Sequence, residues 1–323
     1  MPTKNDKIRI LEVPSELGAG TRGASLGIGA IKVAAFKSGN KYFSKYHSTI
    51  VPNENELLFE ASPTQYANYI DGIVKVYNYV SHFVSEEVTH NKRFPIVLAG
   101  DHSTAGATIS GIKKSNPDKR LGVIWIDAHA DIHSPYTSPS GNIHGMPLAA
   151  VLSEDNLDFQ INEVTRETSD LWERMKNIGV LGPKVAAENV VYFGVRDTEE
   201  PEENQIKNLQ IKNYTVSEIR YKGLEQCVSE AIDKLSNCDV IYISFDVDSM
   251  DCDMVSYGTG TPVNKGFDQQ EVTQIMNQFI ETKKVVCVEF VEVNPLLDLK
   301  GNVMAETAFE ILDDITKTIS KSL

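Results

Sequence analysis

Two kinds of apolar spacing alternate along the chain, and together they predict its elements. Continuous, β-branched runs occur at Ile8 to Val13, Pro95 to Ala99, Gly122 to Ile126, Val190 to Val195, Val240 to Phe245 and Val285 to Val293. Short runs of this kind read as buried strands. Between them, apolar residues recur at helical intervals. The longest case is Thr64 to Val88, where Tyr66, Tyr69, Ile70, Ile73, Val76, Tyr77, Val80, Phe83 and Val84 share one face behind a Ser62-Pro63 start signal. The same spacing predicts helices at about Ser25 to Lys37, from Ser103 to about Lys114, Leu148 to Leu152, Thr165 to Met175, Gly223 to Leu235, Gln269 to Thr282 and Met304 to Ile319. Gly18 to Gly23 reads as a strand-to-helix loop needing positive φ, since its glycines match no phosphate-binding spacing. Arg196 to Glu203 reads as an acidic loop. Strands that alternate with helices predict an α/β fold, a parallel sheet covered by helices on both faces. No linker or repeat divides residues 1–323, so one domain is expected.

Charge and cysteine usage narrow the function. The formal charge of −14 over 323 residues excludes a nucleic-acid binder, because a phosphate backbone demands a Lys/Arg surplus. It is compatible with a cationic substrate. Cys227, Cys238, Cys252 and Cys287 have no C-x-x-C pair, which predicts buried free thiols in a reducing compartment. The polar start, Met1 to Lys7, lacks an apolar signal-peptide core, and no run reaches the roughly 18 apolar residues of a membrane span. A cytoplasmic protein is expected.

The chemistry collects where strands end. Asp127-Ala128-His129-Ala130-Asp131 follows the run to Ile126, and if the extended geometry continued its three polar side chains would leave on one side. Such a motif also occurs in solvated loops. The signal comes from its company: His102 follows the strand to Ala99, and Asp246 and Asp248 follow the strand to Phe245. Loops at the carboxyl ends of parallel strands are where α/β proteins build sites. Four carboxylates and two imidazoles are too many for one cation but fit two, about 3.5–4 Å apart, sharing two carboxylates. Oxygen-rich ligands with some imidazole and no thiolate suit Mn²⁺, leaving Fe, Co and Ni open. Ser140-Gly141-Asn142-Ile143-His144-Gly145 adds a hydroxyl, an amide and an imidazole. His144 is a candidate proton shuttle, because an unperturbed imidazole titrates near neutrality. Glu292 is a carboxylate ending an otherwise apolar strand.

These motifs, with Gly100-Asp101-His102-Ser103, Gly258-Thr259-Gly260-Thr261-Pro262 and Glu292-Val293-Asn294-Pro295, together resemble the ureohydrolases, the superfamily of arginase, agmatinase, formimidoylglutamase and guanidino-acid hydrolases. The S-G-N-x-H-G segment is most similar to the arginase branch. The resemblance implies a three-layer α/β/α fold with a mainly parallel sheet, two manganese ions per chain and a homo-oligomer, a trimer or hexamer. It implies His102, Asp127, Asp131 and Asp246 on one ion, and Asp127, His129, Asp246 and Asp248 on the other. It further implies hydrolysis of a guanidinium C–N bond by a metal-bridging hydroxide. Asp131 would pass the proton to the departing amine, Glu292 would pair with the guanidinium, and His144 would exchange protons with solvent. For arginine the products would be ornithine and urea. Substrate contacts are expected from His133, Ser140, Asn142, Glu199, Glu202 and Thr261.

The chain departs from that pattern at several points. His133 stands where arginases carry an asparagine near the substrate α-carboxylate, and Glu199 stands where they carry an aspartate. Both changes put tail specificity in play and keep agmatinase, guanidino-acid hydrolase and formimidoylglutamase as alternatives. Cys252 and Ile28 replace prolines in loops.

Overall fold

The computed structural model describes residues 4–323; Met1, Pro2 and Thr3 of the polar start lie outside the described residues. A single eight-stranded sheet runs through them, formed by β1 (Ile8–Val13), β2 (Ser48–Ile50), β3 (Phe94–Ala99), β4 (Leu121–Ile126), β5 (Val190–Phe193), β6 (Lys212–Tyr214), β7 (Val240–Asp246) and β8 (Val285–Val291). The order is β2-β1-β3-β8-β7-β4-β5-β6, and every pairing is parallel.

Side chains alternate across each strand, so each strand feeds two cores. Ile124 and Ile126 point into one, packed with Ile28, Ile31, Val228, Ile275, Phe279, Ile311 and Leu312 from helices Gly27–Lys37, Leu224–Lys234, Gln269–Glu281 and Val303–Ser322. Val123 and Trp125 point into the other, packed with Ile73, Val80, Ile109, Leu148 and Trp172 from helices Ile70–Thr89, Thr104–Ser115, Pro147–Leu152 and Arg166–Lys176. Burial on both faces is why these strands read as continuous apolar runs. The helices after β3 and β4 cover one face and those after β7 and β8 the other. The central strands β3-β8-β7-β4 therefore bracket the points where the winding reverses, and a crevice opens there beyond their carboxyl ends.

Several expected boundaries move. The helix expected from Thr64 begins at Ile70, because Tyr66 and Tyr69 adopt positive φ (62° and 55°) and Ser62 Oγ holds the Tyr69 N–H. The second half of the acidic loop is helix, the start of Glu200–Asn208, opened by a capping box in which Glu199 and Glu202 each accept the other's backbone N–H. β5 stops at Phe193, since Gly194 turns at φ 91°, and β8 stops at Val291, since Glu292 sits at φ 67°. In the glycine-rich loop only Gly23 has positive φ; a Cβ on Gly18 would strike Ser103 and one on Gly20 would strike Asn142. That loop is pressed against the crevice. Edge strands β2 and β6 are too short to show a pattern.

Candidate active site

The candidate ligands converge at the ends of β3, β4 and β7, with Glu292 beside them at the end of β8. Ile126 pairs with Phe245, so Asp127 and Asp246 emerge side by side. The central motif does not continue as a strand. It bends after Ile126, and Asp131 takes φ 50°, so the three side chains do not leave along one face: Asp131 joins His102, His129 joins Asp248, and Asp127 belongs to both groups. Asp131 and Glu292 are both non-glycine residues in left-handed conformation, a strain that gathers at functional sites.

His102 Nδ1 lies 3.0 Å from Asp127 Oδ2, 2.9 Å from Asp131 Oδ2 and 3.2 Å from Asp246 Oδ2. Yet His102 Nδ1 and Asp127 Oδ2 are buried without a hydrogen-bond partner, because none of these contacts has hydrogen-bond angles. Atoms that crowd together while aiming past one another share a target. Ligands held about 2.1 Å from a common octahedral cation would sit about 3 Å apart. Asp127 turns its other oxygen to the second group: Oδ1 is 3.5 Å from His129 Nδ1, which is 3.0 Å from Asp248 Oδ2. His102, Asp127 and Asp131, and Asp127, His129 and Asp248, thus form two metal-capable groups that share Asp127. These donors fit a cation pair. Asp246 approaches the first group through Oδ2, while its Oδ1 accepts the Asp248 N–H.

The predicted substrate contacts and His144 line a cavity of about 280 Å³, and Glu292 lies behind His144 rather than in the lining. The cavity is lined by His102, His129, Asp131, Asp246 and Asp248, together with His133, Ser140, Asn142, His144, Glu199, Glu202 and Thr261. Among the described residues, no Lys or Arg lines it. Thr261 donates to Asp248 Oδ2 at 3.0 Å, so its hydroxyl is engaged by a candidate ligand. His133 is engaged at both nitrogens, Nδ1 with Thr137 Oγ1 (3.0 Å) and Nε2 with Glu199 Oε2 (2.6 Å). Glu292, almost fully buried, accepts the His102 N–H at 2.9 Å and lies 3.2 Å from His144 Nδ1. The glycine-rich loop steadies this corner: Gly18 O accepts the His144 N–H, and Gly18 N–H donates to Asp101.

Burial is the largest influence on the site's carboxylates. Burial, then the charge of Asp127, pushes the Asp131 carboxyl up to about 6. Asp246 is raised too, by burial and then by Asp248 and Asp127. Burial pushes Glu202 up to about 8. For His144, burial lowers the pKa, but Glu292, Asp131 and Asp101 outweigh it and hold the imidazole at about 9. The pairing with Glu292 thus moves His144 upward from the unperturbed imidazole value.

Sequence reading passed over the groups behind the ligands. His102 stacks on Trp125 with ring centroids 4.2 Å apart, and its Nε2 lies 2.7 Å from Ser244 Oγ. Glu289, a carboxylate inside the apolar run of β8, was the available signal.

Solved structures with this architecture include the arginase of Bacillus caldovelox (TM-score 0.81, 32% identity, covering 95% of this chain and 97% of that one). The formimidoylglutamase of Bacillus subtilis shares the fold at 19% identity and a TM-score of 0.73, covering 97% and 87%. Fold and site together define a hydrolase of the ureohydrolase type. In sequence, the arginase of Brevibacillus brevis is 36% identical over 96% of this chain and 98% of its own. The Arginase family model matches residues 6–317. The chain belongs to the arginase family.

Proposed function

We propose that the chain hydrolyses the guanidinium C–N bond of L-arginine to give L-ornithine and urea, with two Mn²⁺ ions as cofactor. The observation that carries this reading is the crowding of three carboxylate oxygens around the unpartnered His102 Nδ1 at the floor of a cavity without Lys or Arg. His102, Asp127, Asp131 and Asp246 would hold one ion, and Asp127, His129, Asp246 and Asp248 the other. When bound, the pair supplies Lewis acidity and lowers the pKa of water towards neutrality.

The chain's own groups do the rest. A guanidinium is a poor electrophile held by resonance, so it must be oriented; the Glu292 carboxylate does this by pairing with its N–H groups. Asp131, held beside the cation pair, would take the proton of the attacking water and pass it to the leaving amine. His144, one-fifth exposed at the cavity wall, returns protons to solvent. Ser140 and Asn142 on one wall and Glu199 and Glu202 on the other hold the substrate's carboxylate and ammonium. The four buried free thiols suit a cytoplasmic setting, and the resemblance supports a homo-oligomer.

One observation favours a second reading. With both nitrogens of His133 engaged by the protein, its ring has no donor left for a substrate carboxylate. That favours a ureohydrolase acting on a guanidino compound without one, such as agmatine. Manganese reconstitution followed by urea assay on arginine, agmatine and 4-guanidinobutyrate decides. Arginine turned over best supports the first reading, equal or better turnover of agmatine overturns it for the second, and no urea from any overturns both. His133→Asn should raise the arginine-to-agmatine ratio of kcat/KM roughly tenfold, about the value of one hydrogen bond to a charged group.

A further inference from the structure

Glu289 is an anomaly that the site so far leaves unused. It is fully buried in the middle of β8, on the face packed with Val123, Trp125 and helix Thr104–Ser115, and no Lys or Arg pairs with it. A buried carboxylate is costly unless its lone pairs are satisfied. Both oxygens are: Oε1 accepts from Thr104 Oγ1 (2.8 Å) and Oε2 from Tyr242 Oη (2.7 Å). Tyr242 and Ser244 are fully buried as well, with Tyr242 Oη 3.3 Å from Ser244 Oγ, and Ser244 Oγ reaches His102 Nε2.

The register brings these groups together. Ile241 pairs with Val285 but Tyr242 pairs with Cys287, a one-residue bulge in β8. The bulge sets Glu289 opposite Ser244 on the same face of the sheet. Without it, a one-residue slip would turn the carboxylate to the opposite face.

The donor roles give the relay its sense. Tyr242 Oη donates to Glu289 Oε2 at 2.7 Å, a charge-assisted bond, and reaches Ser244 Oγ as a donor at 3.3 Å. Ser244 Oγ, anchored from that side, stands 2.7 Å from His102 Nε2 and accepts its hydrogen. The imidazole hydrogen is thereby kept on Nε2, and Nδ1, the atom without a hydrogen-bond partner, presents its lone pair to Asp127, Asp131 and Asp246. The Thr104 contact fastens the chain two residues beyond the same histidine, and Trp125 fixes the plane of its ring.

We infer that Tyr242 and Glu289 are positioning residues for His102, acting through Ser244 to hold its ring with Nδ1 free for the first of the two cations. The inference rests on the cation-pair reading above. Partners of this kind behind a metal ligand change metal affinity by about 10–100-fold when removed.

The test is a manganese titration of the metal-free full chain, wild type against Tyr242→Phe and Glu289→Gln, followed by calorimetry and by the electron paramagnetic resonance of free Mn²⁺. Thermal melting of the metal-free proteins is measured in parallel. Each variant should bind one ion about 10–100-fold more weakly and the other as the wild type does, a difference between the two sites that a general loss of stability would not produce. A role confined to packing would lower the melt and leave ion affinities alike, and that result overturns the relay. If Tyr242→Phe fails to fold, Ser244→Ala interrupts the same relay one bond closer and must show the same loss at one site. A wild type that takes up no manganese overturns the proposed function together with the inference. A wild type and variants that all bind two ions equally overturn the inference alone.

Discussion

The two halves of the ligand cluster are built differently. The His102 half is sunk in the molecule: its imidazole is 1% exposed, lies flat on Trp125 and is backed by hydroxyls leading into the sheet. The His129 half faces the cavity: its imidazole is 22% exposed, and its far nitrogen lies 3.5 Å from Asp197, itself 65% exposed. One histidine is oriented by the core, the other by carboxylates at the rim. One metal-capable group is thus part of the folded scaffold, and the other opens on the cavity.

Asp127 alone reaches into both metal-capable groups, so its loss should be the most damaging. Asp127→Ala is expected to bind neither ion tightly and to release no urea above background; Asp246→Ala should do likewise. A variant of Asp127 that kept one full-affinity ion would mean that the halves are independent. Next comes Glu292→Gln, which removes the guanidinium partner but not a ligand. It should lose roughly 100-fold or more in kcat/KM, the scale of one directed transition-state contact, and keep both ions by metal analysis. Release of both ions from this variant would contradict the role given to Glu292.

The contrast itself is sharpened by His102→Ala against His129→Ala. Each should lose one ion. Only His102→Ala should also destabilise the metal-free protein, by about 2 kcal/mol or more, because it leaves a cavity against Trp125 and an unpaired Ser244. Equal melting temperatures would erase the distinction between scaffold and rim.

The smallest effect is the pH dependence of manganese affinity. The Asp131 carboxyl is raised from 3.8 to about 6 in the metal-free fold. Between those values the folded chain keeps a proton that the unfolded chain has lost. Its contribution to metal-free stability is therefore present below about pH 4 and lost as pH rises through 6. A cation must displace that proton, and also those that the neighbouring carboxylates, acting against burial, hold on His102 and His129, so apparent affinity should climb from pH 5 through neutrality. The gain in melting temperature on adding manganese should be larger at pH 7.5 than at pH 5, and a constant gain would count against Asp131 as a ligand.

The central strands were legible because a strand buried on both faces is apolar nearly throughout, as Leu121–Ile126 is and as Val240–Phe245 is apart from Ser244. The candidate ligands were legible because each follows such a strand directly. Strands β2 and β6 were not, being three residues each at the sheet edges. Nor was the helix Glu200–Asn208, since Glu199 and Glu202 read as loop acids until their capping geometry was seen. The start of the helix at Ile70 was hidden by Tyr66 and Tyr69, apolar residues in phase with the helix but held at positive φ by the loop they close.

By itself the sequence determined the α/β alternation, the two-sided burial of the central strands and the chemistry of the groups at their ends, because residue type and spacing carry those directly. Only tertiary structure decided the strand order that sets β3, β8, β7 and β4 side by side, the turn that points Asp131 inward, and the bulge that puts Glu289 opposite Ser244. Those features depend on contacts between residues far apart in the chain, where local pattern has no reach. The state of His144 belongs with them: an imidazole's pKa is set by the carboxylates that the fold brings to it, here those of Glu292, Asp131 and Asp101.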